Sequence, residues 1–196
     1  MVAQIVTACL TAVLLENVIF TRLMGTSTML TIARKQRYIL PFGVCIVFIS
    51  TASSALFYAF SLLLRNNEYL RISLQAFFSV VSVGIVYILL LLGASLICPG
   101  VFRKARKFIH LSALNCAVMG ALLLSMQSSL GIWGCIGYGF GAGVGFTLAT
   151  FLVSIAYPRI YSAKISRTFR GLPAMLIYIA ILSLAFYGLI GHELPF

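Results

Sequence analysis

Charge is what this chain has least of. Of its 196 residues, 9% are charged, and only Glu16, Glu68 and Glu193 are acidic. A soluble domain of this size carries charge on about a quarter of its residues. With 62% hydrophobic residues, this chain cannot build that surface, and lipid is the expected solvent. The opening segment, MVAQIVTACLTAVLLENVIF, has no basic n-region and no A-x-A-like site. It reads as a retained span and not as a signal peptide. The five cysteines, Cys9, Cys45, Cys98, Cys116 and Cys135, form no C-x-x-C pair and lie in or beside apolar runs. That argues against a disulfide framework and makes each, by default, a small buried hydrophobe.

The net charge of +11 would suggest nucleic acid in a soluble protein. Here the basic residues fall mostly between apolar runs, where they set topology instead, so no nucleic-acid partner is expected.

Long charge-free runs are abundant. A helix needs about 20 apolar residues to cross the hydrocarbon. Residues 39–64, 72–102 and 171–191 each hold one such span. Residues 111–158 contain no Asp, Glu, Lys, Arg or His, enough for two spans with QSSLG at 127–131 as the turn. Residues 2–21 supply another, interrupted by Glu16 and Asn17. The expected fold class is therefore an all-α membrane protein of six transmembrane helices. It forms a single integral membrane domain over 1–196, surrounded by membrane lipid. Its two halves, about 1–102 and 103–196, would be inverted three-helix repeats.

Eleven of the fourteen Lys and Arg lie after the first, third and fifth spans: Arg34, Lys35 and Arg37; Arg103, Lys104, Arg106 and Lys107; Arg159, Lys164, Arg167 and Arg170. The opposite loops hold Arg65 and Arg71. Positive charge marks the cytoplasmic side, so both termini are expected outside.

Polar residues inside the spans are the candidates for chemistry. Glu16 is an ionisable group within an apolar run, and such groups are costly and commonly functional. It either acts as such a group, or pairs with Arg22 inside the bundle, or both reach for an interface. The stretch that follows, TRLMGTSTMLT, is rich in Thr, Ser and Gly, which suits a broken helix. Breaks are expected in spans one and four. In span five, Gly137, Gly141 and Gly145 share one helix face, the small-xxx-small pattern of close helix contact. A phosphate-binding glycine loop would need a strand before it and is excluded. Cys116, in LNCAVMG, is either a packed residue or half of a symmetric metal site completed by another helix or chain.

NCAVMGALLL at 115–124, GYGFGAGVGFTLATFLVSI at 137–155 and FRGLPAMLIYIAILSLAFYGLIG at 169–191 resemble the family that joins the A subunit of the Rnf electron-transport complex to the E subunit of the Na+-translocating NADH:quinone oxidoreductase. The likeness spans nearly the whole chain. It implies a bacterial plasma (inner) membrane component of a redox-driven complex that moves Na+ or H+. It implies as partners a homologous six-span subunit of opposite orientation, and further subunits carrying flavin and iron–sulfur centres. The two six-span subunits would share one 2Fe-2S cluster that carries electrons across the membrane, each giving two cysteines. Cys116 matches the second cysteine motif, N-C-A-V-hydrophobic-G, and so inherits a cluster-ligand role. The first motif departs. Ser27 stands where the family has cysteine, within GTSTMLT, and the proline and final glycine are absent. An alkoxide forms far less readily than a thiolate. Either three cysteines hold the cluster, or another group substitutes, or the chain is a non-redox scaffold or small-solute transporter of the same fold.

The charge distribution makes the first prediction. A reporter active only in the cytoplasm should be silent when fused at Phe196 and active when inserted at 103–107; the opposite pattern would reverse the orientation.

Overall fold

A computed structural model describes residues 2–63, 67–97, 99–127, 131–162 and 165–190, and the described residues contain no strand. Helix α1 (Val2–Leu10) runs into a π-helical turn (Thr11–Leu15). It is followed by α2 (Val18–Arg22), α3 (Thr26–Ala33) and a 3-10 turn (Gln36–Tyr38). Then come α4 (Ile39–Leu63), α5 (Glu68–Ile97), α6 (Pro99–Ala113), α7 (Cys116–Gln127), α8 (Ile132–Ile160) and α9 (Leu172–Ile190).

Among the described residues, three stretches are long and apolar enough to cross a membrane: Gln36–Leu63, Tyr69–Leu96 and Ile132–Ile160. A fourth crossing results if Arg106–Ala113 and Cys116–Met126, which meet at a 46° bend, count as one span. Val2–Leu15 and Leu172–Gly188 are apolar but shorter. Outward positions on these helices carry Leu40, Val44 and Phe48 on α4, Leu89 and Leu92 on α5, and Phe151 and Ile155 on α8. Large apolar side chains exposed in such density suit lipid.

The structure corrects one boundary. The sequence places 103–107 in a loop, but these residues belong to α6, with Arg106 and Lys107 exposed. A basic stretch can continue a helix because Lys and Arg have good helix propensity. The turn expected at 127–131 has its flanks in place: Gln127 ends α7 and Gly131 caps α8. Residues 128–130 lie outside the described residues.

Helix α8 is the spine, and glycine is the reason. Its Gly137, Gly141 and Gly145 face the first segment, as their spacing predicts. A β-carbon on Gly137 would stand 2.6 Å from the Ile5 carbonyl oxygen, and one on Gly141 2.5 Å from that of Cys9. Gly145 abuts the Asn17 side chain and the Val13 backbone. Two further glycines, not singled out from the sequence, serve the other side. A β-carbon on Gly143 would lie 2.6 Å from the Val47 Cα, and one on Gly139 would meet Ser54 and the Ser50 carbonyl. Here Ser50 Oγ donates to the Gly139 carbonyl oxygen at 2.7 Å. Lipid gives helices no hydrophobic reason to associate, so close backbone packing and such polar bonds do the work. Helix α9 closes over α2: Phe20 stacks on Phe186 at 4.4 Å, and Ser183 Oγ donates to the Phe20 carbonyl oxygen at 2.7 Å.

Gly141→Leu should disrupt the fold, since overpacking costs about 1–3 kcal/mol even where side chains can yield and here the obstacle is backbone. Gly84→Ala and Gly93→Ala, with nothing within 4 Å of the added carbon, should be silent. Recovery of the assembled protein in detergent distinguishes the three.

Candidate functional site

Two interruptions in the helical path meet beside α8. The first begins at the π-helical turn. Glu16 leaves the helix at φ −112°, ψ 42°, and Asn17 becomes the cap of α2. Asn17 is 1% exposed. Its Oδ1 accepts from the Ile19 N–H at 3.1 Å, while its Nδ2 donates to the carbonyl oxygens of Val13 and Gly145 at 3.0 and 3.1 Å. One side chain thus replaces backbone bonds lost on both sides of the break and ties it to α8. After α2 the chain turns through Leu23 (φ 56°) and Gly25 (φ 78°) into α3.

The second interruption separates α6 from α7. Asn115, 2% exposed, caps α7 by accepting the Ala117 N–H on Oδ1 at 3.0 Å. It is the counterpart of Asn17, with one difference: its Nδ2 is buried and has no hydrogen-bond partner among the described residues.

The two breaks touch. The Gly25 N–H donates to Cys116 Sγ at 3.0 Å. A β-carbon on Gly25 would lie 2.5 Å from Asn115 Oδ1 and 2.6 Å from the Phe146 ring. Gly25 is therefore required twice, for its left-handed backbone and for the missing side chain. Cys116 opens α7, where free N–H groups and the helix dipole favour negative charge. It is exposed, whereas Cys135 is buried and Cys9 and Cys45 are half-buried. Cys98 lies outside the described residues. Asn115 and Cys116 also line a cavity of about 360 Å³ with Val80, Gly84, Tyr87 and Met119.

Ser27, in the first turn of α3, is exposed too. Gly25, two residues before Ser27, is the residue that lies against Asn115, Cys116 and Ala117. Among the described residues, however, no three His, Cys, Asp or Glu come together. The donor set fits one thiolate corner of a cluster at Cys116, with an N–H already directed at the sulfur and the unpartnered Asn115 amide beside it. It does not fit a cluster closed by these residues alone.

Glu16 takes a partner that sequence alone did not indicate. The Tyr138 hydroxyl, not Arg22, donates to Glu16 Oε2, at 2.7 Å; Arg22 is exposed. Tyr138 is 1% exposed and follows Gly137 directly. A lone phenol inside a glycine stripe was the available signal.

The Rnf-Nqr family of membrane subunits matches residues 5–192 of this chain. The chain belongs to that family. The A subunit of the ion-translocating oxidoreductase complex of Aeromonas hydrophila is 30% identical over 182 residues, covering 91% of this chain and 92% of that protein. The A subunit of the Vibrio cholerae complex is likewise 30% identical with the same coverage. That of Aromatoleum aromaticum is 26% identical over 93% of this chain and 94% of its own length. As an Rnf-Nqr membrane protein, the chain has its break-to-break contact within the matched region.

Gly25→Ala should destabilise the chain by more than about 1 kcal/mol, the left-handed penalty alone, because of the added collision with Asn115. Gly171→Ala, at φ 96° with its nearest neighbour at 3.5 Å, should pay the conformational part only. Thermal denaturation of the purified protein ranks them.

Proposed function

We propose that this chain is the membrane component corresponding to the A subunit in a redox-driven ion-translocating oxidoreductase complex, with Cys116 holding one corner of a two-iron two-sulfur cluster shared with a homologous subunit. The observation that carries this reading is the Cys116 thiol itself. It is exposed, stands at a helix N-terminus, receives the Gly25 N–H, and sits beside an amide with no acceptor. A thiol kept only for packing has no use for exposure or for a directed donor.

Bound there, such a cluster supplies one-electron transfer. The chain's own residues supply the setting. Asn115 fixes the start of α7 and so the direction of Cys116. The N–H of Gly25, and the Nδ2 of Asn115 if it turns toward the same sulfur region, are donors of the kind that tune a metal-bound thiolate. Leu114, 82% exposed, and the open cavity beside Cys116 give a second chain room to approach with the remaining ligands. In this reading the chain crosses a bacterial inner membrane six times as two inverted halves, termini outside. Its partner has the opposite orientation, and flavin and iron–sulfur subunits complete the complex.

Ser27 favours a second reading, a scaffold or small-solute transporter of the same fold that has lost the cluster. One experiment separates them. Iron content and the electron-paramagnetic-resonance spectrum of the purified complex are measured for the parent, Cys116→Ala and Ser27→Cys. The redox reading expects a signal in the parent and its loss in Cys116→Ala while the protein stays folded. Ser27→Cys should strengthen the signal, because the new thiol stands where the motif places one. If Cys116 only packs, the Ala change removes one sulfur, costs about 1 kcal/mol and alters no spectrum. No iron in the parent and none after Ser27→Cys leaves the scaffold or transporter.

A further inference from the structure

Among the described side chains, Glu16 is the one carboxylate. It lies within the first apolar segment, half-buried, directly after the π-helical turn. Such turns cost stability in an otherwise α-helical path and recur at functional sites. This one ends where Glu16 must face α8: its N–H bonds back to the Thr11 carbonyl oxygen at 2.7 Å, five residues earlier. Tyr138 waits opposite, held by the backbone contacts of Gly137 and Gly141. Asn17, the next residue, is locked to the Gly145 carbonyl. Carboxylate and phenol are thus positioned from both sides by elements that do not depend on their own hydrogen bond.

A structural role does not require an acid here. A glutamine would accept the same Tyr138 hydrogen bond without the cost of an ionisable group in lipid, about 2.5–3.5 kcal/mol for an acid at the centre of a span on insertion scales. Its hydrogen-bond partner among the described residues is a neutral phenol and not the exposed Arg22. What the acid adds over the amide is the capacity to take and release a proton. The titratable or charged groups on the elements packed around it are Cys9 on α1, Arg22 on α2, Cys135, Tyr138, Tyr157 and Arg159 on α8, and Tyr178 and Tyr187 on α9. None is a second carboxylate or a histidine.

We propose that Glu16 is a proton-binding site within the first span, with Tyr138 as its positioning residue. A proton from the aqueous phase forms an O–H bond at Oε1, Tyr138 keeps its bond to Oε2, the side-chain charge goes from −1 to zero, and no electron moves. Release reverses the step. As a station for a transported proton, the site rests on the ion-translocation reading; as a proton-binding site, it stands without it.

The test is pH-difference infrared spectroscopy on the full chain in detergent, where three glutamates keep the carboxylic-acid region assignable. A carbonyl band that grows as pH falls is expected, lost in Glu16→Gln and moved in frequency in Tyr138→Phe, with folding checked by circular dichroism. The shift in Tyr138→Phe reports the hydrogen bond, which a merely packed tyrosine would not move. No Glu16-dependent band while the chain stays folded overturns the site, as does a band indifferent to Tyr138→Phe for the positioning role. In vesicles carrying the whole complex, protons moved per electron should fall in Glu16→Gln. A ratio equal to the parent's overturns the transport role, and so does a loss confined to sodium. A parent complex that moves no ion refutes the function proposed above, while the infrared result still decides Glu16.

Discussion

Everything in this molecule hangs on how closely the backbone of α8 can be approached. Five glycines strip two of its faces, one toward α1 and its π-helical turn, the other toward α4. In lipid, where apolar side chains gain little by meeting each other, the contacts so permitted are what make neighbouring helices stay. They also bring carbonyls into reach. Asn17 finds the Gly145 oxygen and Ser50 the Gly139 oxygen because no side chain intervenes. The Glu16–Tyr138 pair is set at its distance by the same approach.

The two breaks are alike in design and unlike in chemistry. Asn17 and Asn115 each cap a helix through Oδ1 onto the N–H two residues on. Asn17 then spends its amide on two carbonyls, whereas the Asn115 amide is buried without a partner among the described residues. A buried donor left unmade costs about 1–3 kcal/mol. That cost sits beside the one exposed cysteine among the described residues, which is where an acceptor brought by another molecule would remove it. Ser27, in the first turn of α3 and ten residues after Asn17, offers a hydroxyl where the motif of the family has a thiol.

Much of this was legible in the sequence, and for identifiable reasons. Absence of charge marks apolar helices by itself, so α4, α5 and α8 fall where the runs lie. Gly137, Gly141 and Gly145 declare a contact face by spacing alone. The break at Asn115 falls in the fourth of the expected spans, one of the two expected to be broken. Other features were hidden because they depend on partners remote in the chain. No local pattern tells that Gly139 and Gly143 serve a second neighbour, that the Asn115 amide finds no acceptor among the described residues, or that Glu16 accepts from Tyr138. The basic residues at 103–107 misled in another way: they speak for a side of the membrane, not for a loop, and a helix can carry them.

The hydrogen bonds of Asn17 to Gly145 and of Tyr138 to Glu16 join residues 128 and 122 positions apart. A ribosome delivers the chain from its N-terminus, at about 5–20 residues per second. The first segment therefore emerges with an acid, an amide and an arginine, and its polar partners on α8 do not yet exist. For several seconds its polar groups have no partner on α8. Those groups are satisfied by α8 only once the fifth apolar run is made. The last long helix to be synthesised but one is thus the helix that finishes the first.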